Sequence, residues 1–252
     1  MSIWGALIGG AAGFAIGGPL GALLGAAAGH VVERAGQEAG LIEGTRPASG
    51  PERDNTRHIA FTIGVIALGA KMAKADGRVT RDEVDAFKRV FKVPPNETHN
   101  VARVFNMARQ DSAGYEPYAR QIAGLFNDRP AVLEELLLCL FYIAKADGKI
   151  HADELAYLKN VATIFGFDDA TFDRIRASEI GADPDDPYTA LGVTRDTDDE
   201  SLKTAYHELV REHHPDRLVA QGMPAEFVEV ADRRLAAINA AYDRIRAERG
   251  LK

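Results

Sequence analysis

The sequence predicts an all-α protein in three parts: an N-terminal transmembrane helix, a helical bundle and a C-terminal helical hairpin. Three observations carry this prediction. No charged side chain occurs between Ile3 and Gly29. Apolar residues then recur at helical spacing to the end of the chain, with almost no alternating strand pattern. Two breaks bearing Gly, Pro and charge, at residues 40–56 and 179–187, separate the parts. The expected boundaries are 1–32 for the transmembrane segment, 33–56 for a linker, 57–178 for the bundle and 179–252 for the hairpin. The 252 residues are 46% hydrophobic, as in globular proteins, and carry a net charge of −7. That acidic balance offers no general attraction to nucleic acid, which is not an expected partner. The one cysteine, Cys139, leaves neither an intrachain disulfide nor a cysteine-clustered zinc site. Its apolar surroundings, Leu136-Leu137-Leu138 before it and Leu140-Phe141 after it, mark a buried thiol.

As a helix, residues 3–29 measure about 40 Å, more than the ~30 Å hydrocarbon core of a bilayer. One tilted span fits, while Gly17-Gly18-Pro19 leaves a kink or a re-entrant hairpin open. No basic stretch precedes the segment and it is too long for a signal sequence, so the mature chain is expected to keep it. Glycine stands at Gly5, Gly9, Gly13, Gly17, Gly21, Gly25 and Gly29, a four-residue spacing that lays a groove free of side chains along a helix. Two readings of that groove stay open: close packing of two copies into a homodimer, or a weak anchor of short side chains. Trp4 suits an interface, and Arg34 beyond the span leans towards a cytoplasmic C-terminal portion.

Within the bundle, helices are expected at 58–75, 81–91, 97–110, 115–126, 131–146, 152–165 and 168–177. The apolar stretches at 59–70 and 136–144 are too short to cross a bilayer and read as core helices. Both end in Lys-Ala-Asp-Gly, which exposes an internal repeat. Lys74-Ala75-Asp76-Gly77-Arg78-Val79 with Asp82-Glu83-Val84 recurs as Lys145-Ala146-Asp147-Gly148-Lys149-Ile150 with Asp153-Glu154-Leu155. Each copy has the spacing of the second half of a calcium-binding EF-hand loop. The first half is missing, because Met72 and Lys74, or Ile143 and Lys145, stand where early carboxylate ligands belong. No metal or other cofactor is therefore expected. The preferred reading is structural: Gly77 and Gly148 end helices, while Asp82, Glu83, Asp153 and Glu154 occupy the first turns of the next, where acids favour the helix dipole.

The C-terminal part opens with a short helix over Tyr188-Thr189-Ala190-Leu191-Gly192-Val193, ended by Gly192. Thr197 to Asp199 supply caps for a second helix to about His213, with Leu202, Tyr206, Leu209 and Val210 on its apolar face. Lys203, His207 and Arg211, four apart, line another face. A third helix starts near Pro224-Ala225 and turns Val228, Leu235, Ile238, Tyr242 and Ile245 inwards, antiparallel to the second. Pro215 disfavours helical geometry at His214, so the second helix stops there and His214 and Asp216 are presented at the hairpin tip. A carboxylate held there pairs with a partner's guanidinium, and pre-positioning lowers the ordering cost of docking. His213 reads as a helix-end residue rather than a metal ligand. No nucleophile, phosphate loop or oxyanion motif accompanies these histidines, so no enzymatic activity of the chain itself is expected.

The tripeptide His214-Pro215-Asp216, its double histidine, the connection from Arg217 to Pro224 and Ile238-Asn239-Ala240-Ala241-Tyr242 together resemble the J-domain. The repeated Asp-Gly loops and helical composition of the bundle resemble the tellurite-resistance TerB-like domain. The order of parts, with a glycine-rich N-terminal span first, is similar to the membrane-anchored DjlA-type DnaJ-like proteins. That resemblance implies a co-chaperone at the inner membrane, its C-terminal domains cytoplasmic. It further implies that His214, Pro215 and Asp216 stimulate ATP hydrolysis by a DnaK-type Hsp70, with the Lys203, His207 and Arg211 face docking onto it. Two departures stand out: His207 where J-domains often carry Lys or Arg, making the docking charge weaker or pH-dependent, and no Gly/Phe-rich or cysteine-rich region to bind clients. The alternative is a metal or metalloid stress sensor acting through Asp76, Glu83, Asp147 and Glu154, with the hairpin as its output. A structural membrane scaffold is the third reading.

Overall fold

The computed structural model describes residues 18–21, 51–75, 98–110, 114–146, 148–180 and 186–251, and among them every regular element is helical, as expected. Helix α1 (Pro51–Ala75) is the axis of the bundle. It starts at Pro51 rather than 58, running into the expected linker, because proline suits a first helical turn where no N–H is required. From Ile59 to Ala73 it is buried on every side. A helix apolar all round must be covered all round. Helices α2 (Thr98–Gln110), α3 (Glu116–Leu125), α4 (Pro130–Ala144) and α5 (Ala152–Ile164) all pack against it. Gly64 allows the closest approach, since a Cβ there would lie 2.7 Å from Ile122 Cδ1 of α3. Tyr157 ties α5 to α1 by donating to the Leu68 carbonyl at 2.8 Å. Helix α4 is buried from Val132 to Phe141, Cys139 included, and also packs on α6 (Asp169–Ile180). The expected helix at 81–91 lies outside the described residues.

The C-terminal hairpin comprises α7 (Pro187–Ala190), α8 (Asp199–Glu212), α9 (Pro215–Ala220), a 3-10 turn (Ala225–Phe227) and α10 (Val228–Arg249). Asp198 caps α8, its Oδ1 accepting from the Glu200 and Ser201 N–H groups at 3.1 and 2.9 Å. Helices α8 and α10 are antiparallel: Asp199 pairs with Arg249 at 2.8 Å, and Tyr206 stacks on Tyr242 at 3.9 Å. Leu202, Ile238 and Ile245 are buried between them. The short helix α9 is not foreseen by periodicity, and the last long helix starts at Val228, after the 3-10 turn, rather than at Pro224.

The hairpin is seated on the bundle. Leu218, Met223, Phe227, Val230 and Ala231 belong to the same buried cluster as α1 and α4, and Phe227 meets Phe61 edge-on at 4.9 Å. Gly222 has φ +106°, and a Cβ there would lie 3.0 Å from Arg57 Cβ. The connection therefore crosses α1 where only glycine fits.

Most of the expected transmembrane segment lies outside the described residues, including Gly5, Gly9, Gly13, Gly17, Gly25 and Gly29. Residues 18–21, with Gly21, form one helical turn against the bundle. Leu20 is fully buried in the bundle core and its N–H donates to Gln121 Oε1 at 2.9 Å. Among the described residues no helix is long and apolar enough to cross a membrane.

Candidate functional site

At the hairpin tip, α8 ends at Glu212 with His213 as its cap, and Pro215 opens α9 behind the extended His214 (φ −64°, ψ 127°). The His214 Nδ1 accepts the Asp216 N–H at 3.2 Å, which in the neutral ring leaves the proton on Nε2 as an outward donor. The imidazole is thus oriented by its own turn. The His214 side chain is 49% exposed and Asp216 95% exposed, with 3.9 Å between Nδ1 and the nearer carboxylate oxygen. Pro215 is buried beneath them. The site presents one carboxylate and one imidazole on a stiff turn, as the sequence implies.

Lys203, His207 and Arg211 lie along the exposed face of α8. Arg217 reaches back from α9 to the Arg211 carbonyl at 3.4 Å, joining the tip to that face. Lys203, His207 and Arg211 therefore share an exposed face of the hairpin, whose end meets the tip through Arg217.

Its other side holds a group that periodicity does not reveal. His213, the residue before the tripeptide, closes α8 with its N–H on the Leu209 carbonyl. Its ring is only 1% exposed, with Nδ1 2.9 Å from Glu135 Oε1 and Nε2 3.7 Å from Glu134 Oε2. Both acids come from α4. Arg234 of α10 bonds Glu134 and lies 3.3 Å from Glu135, and Arg174 of α6 reaches Glu134 at 2.7 Å. Two carboxylates meet two guanidiniums, so the cluster balances its charge out of water. Burial works against ionisation of Glu134, but Arg234, Arg174 and His213 outweigh it and hold that carboxyl at about 2. The expectation of His213 as a helix-end residue holds, yet its ring has a partner in the other domain. The available signal was Glu134-Glu135 within an otherwise apolar core helix, where acids require partners.

For the repeated loops, Asp76 and Glu83, with Asp82, lie outside the described residues, as does Asp147. Asp153 and Glu154 occupy the first turn of α5. Glu154 is buried and its Oε2 accepts the His151 N–H at 2.9 Å, the return half of a capping box. Among the described residues no group of three or more His, Cys, Asp or Glu is placed to hold a metal.

Three family models match in succession: the co-chaperone DjlA transmembrane domain over 1–45, the tellurite resistance protein TerB over 62–177 and the DnaJ domain over 186–248. These three domains, in this order, make the chain similar to the DjlA-type DnaJ-like co-chaperones over its whole length. Among curated relatives named co-chaperone protein DjlA, that of Photobacterium profundum is 29% identical, covering 99% of this chain and 100% of its own. The Coxiella burnetii protein is 28% identical over 98% of each chain, and that of Escherichia coli K12 is 26% identical over 78% of this chain and 82% of its own. No solved structure matches the chain. The DnaJ match spans both the exposed tripeptide and Arg234, so in this chain the J-domain includes the residues that seat it on the TerB domain.

Proposed function

We propose that the protein is a membrane-anchored co-chaperone whose His214, Pro215 and Asp216 stimulate ATP hydrolysis by a DnaK-type Hsp70 at the cytoplasmic face of the inner membrane. The observation that carries this is the tip itself: an exposed carboxylate and an oriented imidazole on a turn stiffened by Pro215, beside the exposed Lys203, His207 and Arg211. The basic face steers an acidic chaperone surface, and Asp216 then meets a guanidinium at little ordering cost. The anchor lies within residues 1–32, supported by the match to the DjlA transmembrane domain. Pairing of two copies through Gly5, Gly9, Gly13, Gly17, Gly25 and Gly29 belongs to the same proposal, whereas Gly21 lies in the turn packed on the bundle. The metal-sensor alternative draws support from the TerB match, but Glu154 is committed to capping α5.

The test is single-turnover ATP hydrolysis by a DnaK-type Hsp70 with the full chain in lipid nanodiscs. Stimulation by wild type that is lost in His214→Gln is expected. Equal stimulation by both forms, or none by wild type, rejects the reading.

A further inference from the structure

We propose that the J-domain acts on Hsp70 while seated on the TerB domain, and that His213 is a positioning residue whose contact with Glu135 sets the direction in which His214 is presented. This deepens the co-chaperone reading and rests on it.

The two sides of the J-domain are divided between the two tasks. His213, Leu218, Met223 and Phe227 are buried on the TerB side, whereas Lys203, His207, Arg211 and Asp216 are exposed. Among the described residues, seating covers nothing in the expected docking face. A seat that inhibited would cover part of it.

The attachment also fixes rotation as well as distance, because it is made through three separate elements. At the end of α8, His213 meets Glu135. On α10, Arg234 meets Glu134 and Glu135. On the connection, the Gln221 carbonyl accepts from Arg129 Nη1. One point of contact leaves a hinge, while three on different elements leave none. His213 is joined to His214 by one planar peptide, so a displacement of the first ring's backbone is passed to the second. Buried charge pairs serve such registry because misplacement leaves a carboxylate unpaired out of water. The TerB domain is then a platform for chaperone activation rather than a separately tethered module.

Two arms test this with the full chain in nanodiscs. In the first, Tyr142→Cys and Arg233→Cys are joined by a short bismaleimide. These are apt sites because Arg233 lies over the Tyr142 ring at 4.6 Å across the interface, and Cys139 is buried. The joined protein is expected to stimulate Hsp70 to within about twofold of the unjoined one, and any larger fall means that the J-domain must leave its seat, overturning the proposal. In the second, Glu134→Gln with Glu135→Gln leaves every J-domain residue intact. The maximal stimulated rate should fall about threefold or more, with the half-saturating concentration within about twofold of wild type, because presentation and not docking charge is lost. An unchanged maximum, with spin-label distances showing the J-domain released, overturns it. If that variant does not fold, the cross-linked arm decides. Absence of stimulation by wild type strikes the co-chaperone reading instead.

Discussion

The two ends of the J-domain hairpin are built differently. At the end remote from the tripeptide, Tyr188, Leu191, Leu202, Ile238, Ala241 and Ile245 form a small core of their own. Arg249 closes it, donating to the Thr197 and Arg195 carbonyls and the Tyr188 hydroxyl. At the tripeptide end, Leu218, Met223, Phe227, Val230 and Ala231 have no separate core and join that of the TerB domain. The functional end is thus the dependent one. A hairpin of two long helices buries little by itself, and the tip carries a polar turn that contributes no apolar area. Support from a second domain lets that turn be exposed and still be held.

The largest effect that tests this contrast is cavity formation at the shared end. Phe227→Ala should cost about 3–5 kcal/mol and lower the unfolding midpoint of both domains together in denaturant melts. Ile245→Ala, at the self-contained end, should cost about 2–5 kcal/mol but separate a J-domain transition from that of the bundle. If Phe227→Ala unfolds the J-domain alone, the shared core is not cooperative and the contrast fails.

Acid offers a sharper probe of the seat. The Glu134 carboxyl is held at about 2 against an ordinary 4.5. A carboxyl lowered in the folded state contributes stability in full above its unfolded value, and this is lost as pH falls through 4.5 towards 2. The contribution is on the order of 3 kcal/mol. Interdomain amide-exchange protection should therefore be constant from neutral pH to about 5 and decline below that. Decline already near neutrality would show that another group governs the seat.

The smallest effect belongs to the remote end. Asp198→Ala removes the cap of α8 without touching the seat, so thermal unfolding should show a modest loss while the maximal Hsp70 stimulation stays at the wild-type level. A fall in stimulation as large as that of the Glu134→Gln, Glu135→Gln variant would dissolve the distinction between the two ends.

Much of this molecule was legible before its structure. The apolar runs at 59–70 and 136–144 announce two buried helices because no polar face is available to meet water. Pro215 announces the tip, since its ring disfavours helical geometry at His214, which is found extended as the cap of α9. Asp153 and Glu154 announce a helix start, and Glu154 is found capping it. The early start of α1 at Pro51, helix α9 and the docking of Leu20 on the bundle were not legible. The docking of Leu20 and the seating of α9 through Leu218 depend on a surface supplied by residues far away in the chain.

The sequence by itself determined the helices, the turn at His214-Pro215-Asp216 and the order of domains, because periodicity, proline geometry and glycine placement act within a few residues. Only the tertiary structure decided that the J-domain is seated and which way its tip faces. Glu134 and Glu135 find His213, Arg174 and Arg234 through the approach of three helices, and the linear sequence, which marks the two acids as needing partners, does not say which. Burial turned them into obligatory partners.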